Sequence, residues 1–151
     1  MGTFPTNHCN ILYLHLGKGE TEEEEKKLSE DIGVANYIRF CGNQDNVRKY
    51  LIASDIYLMT SRSEGLSITT IEAMACNIPS ILYNVRGLRD FNNSGENSFL
   101  IPEDYKVLAE KIIFLYNQPE EGARIANNAR NMVDECYNMD KNASKVYDLY
   151  L

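Results

Sequence analysis

Two glutamates, Glu64 and Glu72, stand with seven residues between them in a stretch, residues 60–79, otherwise rich in serine, threonine, glycine and small apolar side chains. A carboxylate held near apolar surroundings needs a hydrogen-bonding partner, and sugar hydroxyls are natural donors to it. Gly65 falls where the backbone must turn closely. Ser67, Thr69 and Thr70 open the helical pattern that follows without acids, so its N-terminal N–H groups suit an anion. In that pattern Ile68, Ile71 and Ala75 are expected to face a core, with Glu72 beside the stripe, and Ala73 and Ala75 to allow close approach to a sheet. With 22 Asp and Glu in the chain, the same spacing also describes two ordinary surface acids.

A second candidate is Gly17-Lys18-Gly19, a strand-to-helix turn of the kind that can cradle a phosphate. It opens a helix carrying Glu20, Glu22, Glu23, Glu24 and Glu25, which repel one. Phosphate contact and tight turn both remain open, because a Gly-x-Gly alone does not decide. His8 and His15 flank the first strand pattern with no Cys or carboxylate at ligand spacing, so no metal site is expected. Cys9, Cys41, Cys76 and Cys136 are far apart, with no CxxC pair. They read as reduced, structural thiols, three of them in apolar settings, as suits a cytoplasmic protein.

The elements that must position these residues follow from the hydrophobic pattern. Strand patterns occupy residues 10–16, 37–41, 55–60, 78–83 and 98–101. Helical patterns occupy residues 20–34, 45–54, 67–76, 104–117, 120–137 and 140–151, with Leu28 and Ile32 as the only core-facing residues of the first. Strands alternating with helices across short links indicate an α/β fold, a Rossmann-like parallel sheet with helices on both faces. A chain of 151 residues suffices for one core, so residues 1–151 are read as a single domain. The net charge of −7, with 15 scattered Lys and Arg, argues against a nucleic-acid surface. The longest apolar runs fall short of the roughly 20 residues that a bilayer span needs.

The stretch SRSEGLSITTIEAMACNIP, with Glu64 and Glu72 in E-x7-E spacing, resembles the signature of retaining GT-B glycosyltransferases of family GT4, the glycosyl transferases group 1. Other landmarks agree in order. Residues 14–19 resemble the family's strand and Gly-x-Gly turn, and residues 38–42 its V-x-F-x-G segment. Residues 50–55 resemble its approach to the third strand, residues 85–87 its v-G-G turn, and residues 95–102 its d-G-x-N-G-x-L-v-x-P segment. The resemblance covers nearly the whole chain.

The resemblance implies the donor-binding, C-terminal half of an enzyme that transfers a hexose from a nucleotide diphosphate sugar to a glycan or lipid-linked acceptor. Glu72 would bind the ribose hydroxyls and Glu64, the catalytic candidate, hydroxyls of the transferred hexose. N–H groups of Gly65, Leu66, Ser67 and Ile68 would face hexose and diphosphate, and Phe40, Cys41 and Gly42 would lie near the base, with Gly17 and Gly19 completing the donor site. Helix dipole and N–H donors would stabilise the leaving diphosphate without a metal or other cofactor. The expected partners are the nucleotide sugar and an N-terminal acceptor domain, with no nucleic acid; the full protein is read as cytoplasmic, not membrane-spanning, and compatible with membrane association.

The departures are specific. The family's diphosphate-clamping Arg and Lys lie upstream of the Gly-x-Gly strand, which only nine residues precede here, so this domain is expected to be N-terminally incomplete, and alone to turn over little or nothing. Lys18 is a weak substitute in its acidic surroundings. Asn77 and Ser98 stand where the family has glycines, and Asn accepts left-handed backbone more readily than Ser. The final helix, residues 140–151, is expected to cross to the missing N-terminal domain, leaving its apolar residues to move freely or to pack on another copy. The alternatives are a non-catalytic Rossmann-like interaction domain and, more remotely, a receiver-like phosphoacceptor, for which Asp55 stands at the wrong end of its strand.

Overall fold

A computed structural model describes residues 11–92 and 95–149. His8, Cys9, the first residue of the 10–16 strand pattern and the last two of the 140–151 helical pattern lie outside the described residues. The chain forms two compact units, residues 1–50 and 51–151.

In the first unit, strand β1 (Tyr13–Leu16) pairs in parallel with β2 (Ile38–Gly42), and helix α1 (Glu22–Asp31) connects them. The pairing runs from Tyr13 opposite Ile38 to His15 opposite Phe40, then skips Cys41 so that Leu16 lies opposite Gly42. The inward face of α1 differs from the expected one. Leu28 and Ile32 are 57% and 62% exposed, while Ser29 is buried. Lys26 and Glu22, one and two turns earlier on the same line, form a 2.7 Å ion pair, and the Lys26 ammonium lies 5.7 Å from the Phe40 ring centroid. A lysine stem covers apolar surface while its charge stays paired, so a polar line can turn inward where the pattern suggested leucine and isoleucine.

Helix α2 (Arg48–Ile52) is shorter than the 45–54 pattern. In the second unit, β3 (Tyr57–Met59), β4 (Ser80–Tyr83) and β5 (Phe99–Ile101) form a parallel sheet in that order. Ser80, Ile81 and Leu82 of the central strand are wholly buried. Leu82 joins Met74, Leu88, Phe91, Ala129 and Val133, whereas Ile81 joins Ile101 and Leu115. The alternation of side chains across a strand thus feeds two cores, one on each face, as a doubly covered parallel sheet requires. The first core lies under α3 (Ile68–Ala75), α5 (Pro119–Cys136) and a 3-10 turn at Arg86–Phe91; the second lies under α4 (Tyr105–Asn117).

The boundaries have local causes. Asp104 caps α4 by accepting from the Lys106 N–H at 2.7 Å, and Pro119 starts α5 at the position where a missing N–H costs nothing. Along α5, Gly122, Ile125, Ala126, Ala129 and Val133 are buried at helical spacing. Helix α6 (Met139–Asp148) is capped by Asn138 and held by a 2.6 Å Lys141–Asp134 ion pair, while Met139, Val146, Tyr147 and the following Leu149 are exposed.

Candidate functional site

The Glu64–Glu72 segment lies wholly in the second unit. It leaves the end of β3 and enters α3 at Ser67, whose backbone is extended at φ −80° and ψ 97°. Ser67 is buried but its side chain does not cap the helix; Oγ accepts instead from the Thr70 hydroxyl at 2.9 Å. The first turn of α3 carries no acid. Its N–H groups therefore present partial positive charge without a side-chain acceptor of their own, which is the arrangement that receives an anion.

Helix α3 is rotated relative to the expected stripe. Thr70, Ala73 and Met74 are buried, Ile71 is half-buried, Ile68 is 66% exposed and Ala75 is exposed. Thr70 can occupy the interior because its hydroxyl is satisfied by Ser67 and Tyr57. The rotation carries Leu66 and Ile68 to the surface at the helix start. Glu72 is exposed on the second turn and Glu64 is half-buried in the preceding loop.

The close approach expected at Gly65 belongs to another residue. A Cβ built on Gly65 meets nothing within 4 Å. At Gly87, in the 3-10 turn, a Cβ would overlap the carbonyl oxygens of Gly65 and Glu64 and lie 2.6 Å from the Glu64 carbonyl carbon. Gly87 thus seats the loop that carries Glu64. The same turn is held at its base by Arg89, which donates to Asn84 Oδ1 at 2.7 Å.

Both departures from family glycine have a local account. Asn77 adopts φ +62° just after α3, its N–H donates to the Met74 carbonyl at 3.0 Å, and the Ile78 N–H donates to that of Ala73 at 3.3 Å. These two bonds make a Schellman ending, whose left-handed residue is glycine or asparagine. Ser98 needs no left-handed backbone: it is fully buried, its hydroxyl donates to the Phe91 carbonyl at 3.0 Å and accepts from Asn92 Nδ2 at 3.1 Å.

In the first unit, the N–H of Gly17, at φ +101°, donates to the Gly42 carbonyl at 2.9 Å. This joins the two turns at the ends of β1 and β2, with half-buried Phe40 and Cys41 beside them and Gly19 exposed further on. His15 has a carboxylate neighbour that its sequence position concealed, Glu25 Oε2 at 3.8 Å from Nε2. Among the described residues, no three or more His, Cys, Asp or Glu side chains are grouped to hold a metal ion. Cys41 and Cys76 are half-buried and Cys136 is exposed, all as free thiols, so none of the described cysteines is a core residue. No helix of the described residues is long and apolar enough to cross a membrane.

Residues 3–132 match the model of the family described as glycosyl transferases group 1. An uncharacterised glycosyltransferase of Haemophilus influenzae is 29% identical over 128 residues, which span 83% of this chain and 36% of that protein. The GtfA subunit of a UDP-N-acetylglucosamine–peptide N-acetylglucosaminyltransferase of Streptococcus gordonii is 36% identical over 111 residues, 68% of this chain and 22% of that protein. The chain thus spans about a third or less of these relatives' length. The crystal structure of HepE from Anabaena in complex with UDP aligns with a TM-score of 0.83 at 21% identity, over 93% of this chain and 40% of that one, and shares its fold.

Proposed function

Since the chain belongs to the glycosyl transferases group 1 family through its match over residues 3–132, we propose that it is the donor-binding part of a GT4-type glycosyltransferase that takes a hexose from a nucleotide diphosphate sugar. The observation that carries this reading is the acid-free first turn of α3, left without a side-chain cap between Glu64 and Glu72. The N–H groups from Gly65 to Ile68 face hexose and diphosphate, and the helix dipole stabilises the charge that develops on the leaving diphosphate. On this reading the protein itself supplies that stabilisation, with no metal, and the transfer retains anomeric configuration.

Glu72, exposed on the second turn, accepts hydrogen bonds from the ribose hydroxyls. Glu64, in the loop seated on Gly87, accepts from hydroxyls of the transferred hexose next to its reacting carbon and is the catalytic candidate. In the first unit, Phe40, Cys41 and Gly42 serve the base, and Gly17 and Gly19 shape the adjoining turn. The acceptor, a glycan or a lipid-linked sugar, is assigned to an N-terminal domain, which would also cover the exposed apolar face of α6. The reading places the enzyme in the cytoplasm, where nucleotide sugars are available.

The test is an NMR titration of the chain with UDP- and GDP-sugars. Amide shifts concentrated in residues 64–72, lost in Glu72→Ala, are the expected result. The Glu72 carboxylate makes no described hydrogen bond within the protein, so the variant should melt as the parent does and bind roughly tenfold or more weakly, as loss of charge-assisted hydrogen bonds predicts. No shift with either nucleotide at millimolar concentration overturns the assignment.

A further inference from the structure

Four hydroxyl groups meet at the start of α3. Tyr57 Oη lies 3.0 Å from Thr69 Oγ1 and 3.3 Å from Thr70 Oγ1. Thr70 Oγ1 donates to Ser67 Oγ at 2.9 Å, and Ser67 Oγ lies 3.4 Å from Thr69 Oγ1. Each hydroxyl has a single proton to give. With the Thr70 proton committed to Ser67, Tyr57 must donate to Thr70, Thr69 to Tyr57, and Ser67 to Thr69. The four contacts close into a ring in which every group donates once and accepts once, and such rings gain from mutual polarisation. Burial pushes the Tyr57 phenol up, so it keeps the proton that the ring requires.

The ring has a consequence at the helix end. A serine at the N-cap ordinarily turns its oxygen toward an N–H of the first turn. Ser67 occupies that position, yet its oxygen serves the Thr70 hydroxyl and caps nothing. We infer that Tyr57 is a positioning residue: by closing the ring it holds Ser67 away from the N-cap rotamer and keeps the first-turn N–H groups of α3 open to a diphosphate. This rests on the reading of α3 as the diphosphate end of the donor site. Tyr57 itself acts one layer below the ligand, from β3.

Tyr57→Phe keeps the half-buried ring and removes only the hydroxyl. Ser67 is then free to cap, and a diphosphate must displace it. The expected result is UDP or GDP binding weaker by about five- to tenfold, the size of one helix cap, with binding of the matching nucleoside, uridine or guanosine, unchanged. Thr69→Val breaks two ring contacts at an exposed position and should give the same diphosphate-selective loss even if Tyr57→Phe folds poorly. Adding Ser67→Ala to Tyr57→Phe removes the competing cap and should recover most of the affinity, which a general packing defect would not do. Diphosphate affinity within twofold of the parent in both single variants, or an equal loss for diphosphate and nucleoside, overturns the role of Tyr57 alone. Failure of the parent chain to bind either diphosphate overturns the donor-site reading on which it stands.

Discussion

Gly87→Ala separates a steric account of the Glu64 loop from a conformational one by the sign of its effect. Gly87 is not among the residues with positive φ, so alanine fits its backbone. On backbone entropy alone, the substitution should stabilise the protein by about 0.4–1 kcal/mol. The added Cβ, however, would lie 2.6 Å from the Glu64 carbonyl carbon. Carbon atoms settle at roughly 3.5–4.0 Å, so the Glu64–Gly65 backbone must retreat by about 1 Å. Overpacking of this kind costs about 1–3 kcal/mol, which outweighs the entropic gain over most of that range. For a chain of this size the clash lowers the melting temperature by about 2–12 °C before the smaller entropic gain is subtracted. On the proposed donor-site reading, the same displacement moves Glu64 and the N–H groups after it out of register with the donor, so UDP-sugar affinity should fall as well. Thermal melting of the variant, with a UDP-sugar titration alongside, is the assay. An unchanged or raised melting temperature together with unchanged affinity would refute the seating of the loop on residue 87.

Two further expectations rest on other parts of the second unit. Ser98→Gly restores the residue of the family pattern but leaves the buried Phe91 carbonyl without its donor, so urea denaturation should show a loss of about 1–3 kcal/mol. The Asp134 carboxyl is held below the usual carboxylate range by its hydrogen bond from Lys141, with help from Asn138. The attachment of α6 that this pair provides is present above the ordinary carboxylate pKa and is lost as pH falls through the depressed one. Lys141→Met should bring the Asp134 titration, followed by carboxyl NMR, up toward the ordinary range.

The alternation of strands and helices was legible because the period of apolar residues changes from two to 3.6 along the chain, and α4 and α5 carry that signal over many turns. The loop and helix around Glu64 and Glu72 were legible as a motif. The rotation of α3 was not, because the interior place of Thr70 depends on the Tyr57 hydroxyl from β3, 13 residues away, as well as on Ser67. The face of α1 escaped for a related reason: Lys26 pairs with Glu22 and lies near Phe40, so hydropathy ranks the line incorrectly. Gly65 drew attention through its place beside Glu64, whereas the tight contact is made by a glycine 22 positions later that only the folded chain brings alongside. A Val-Arg-Gly turn after the fourth strand was the available signal, and it identified the turn without the contact. Ser98 was puzzling while judged by backbone preference, and its side-chain bonds account for it.

The complete burial of Ser80, Ile81 and Leu82 sets a time order for solvent entry. Amides of a strand covered on both faces exchange with deuterium only when the second unit opens as a whole, whereas α1, with its glutamate–lysine line turned inward and its leucine and isoleucine outward, has little apolar burial to keep its amides shut. Exchange should therefore run from seconds at one helix to the lifetime of the folded unit at one strand, and the start of α3, whose open N–H groups exchange fast but whose hydroxyls are hydrogen-bonded to the neighbouring β3, should keep its direction on the slower clock. A donor would then meet N–H groups already fixed in direction before it arrives.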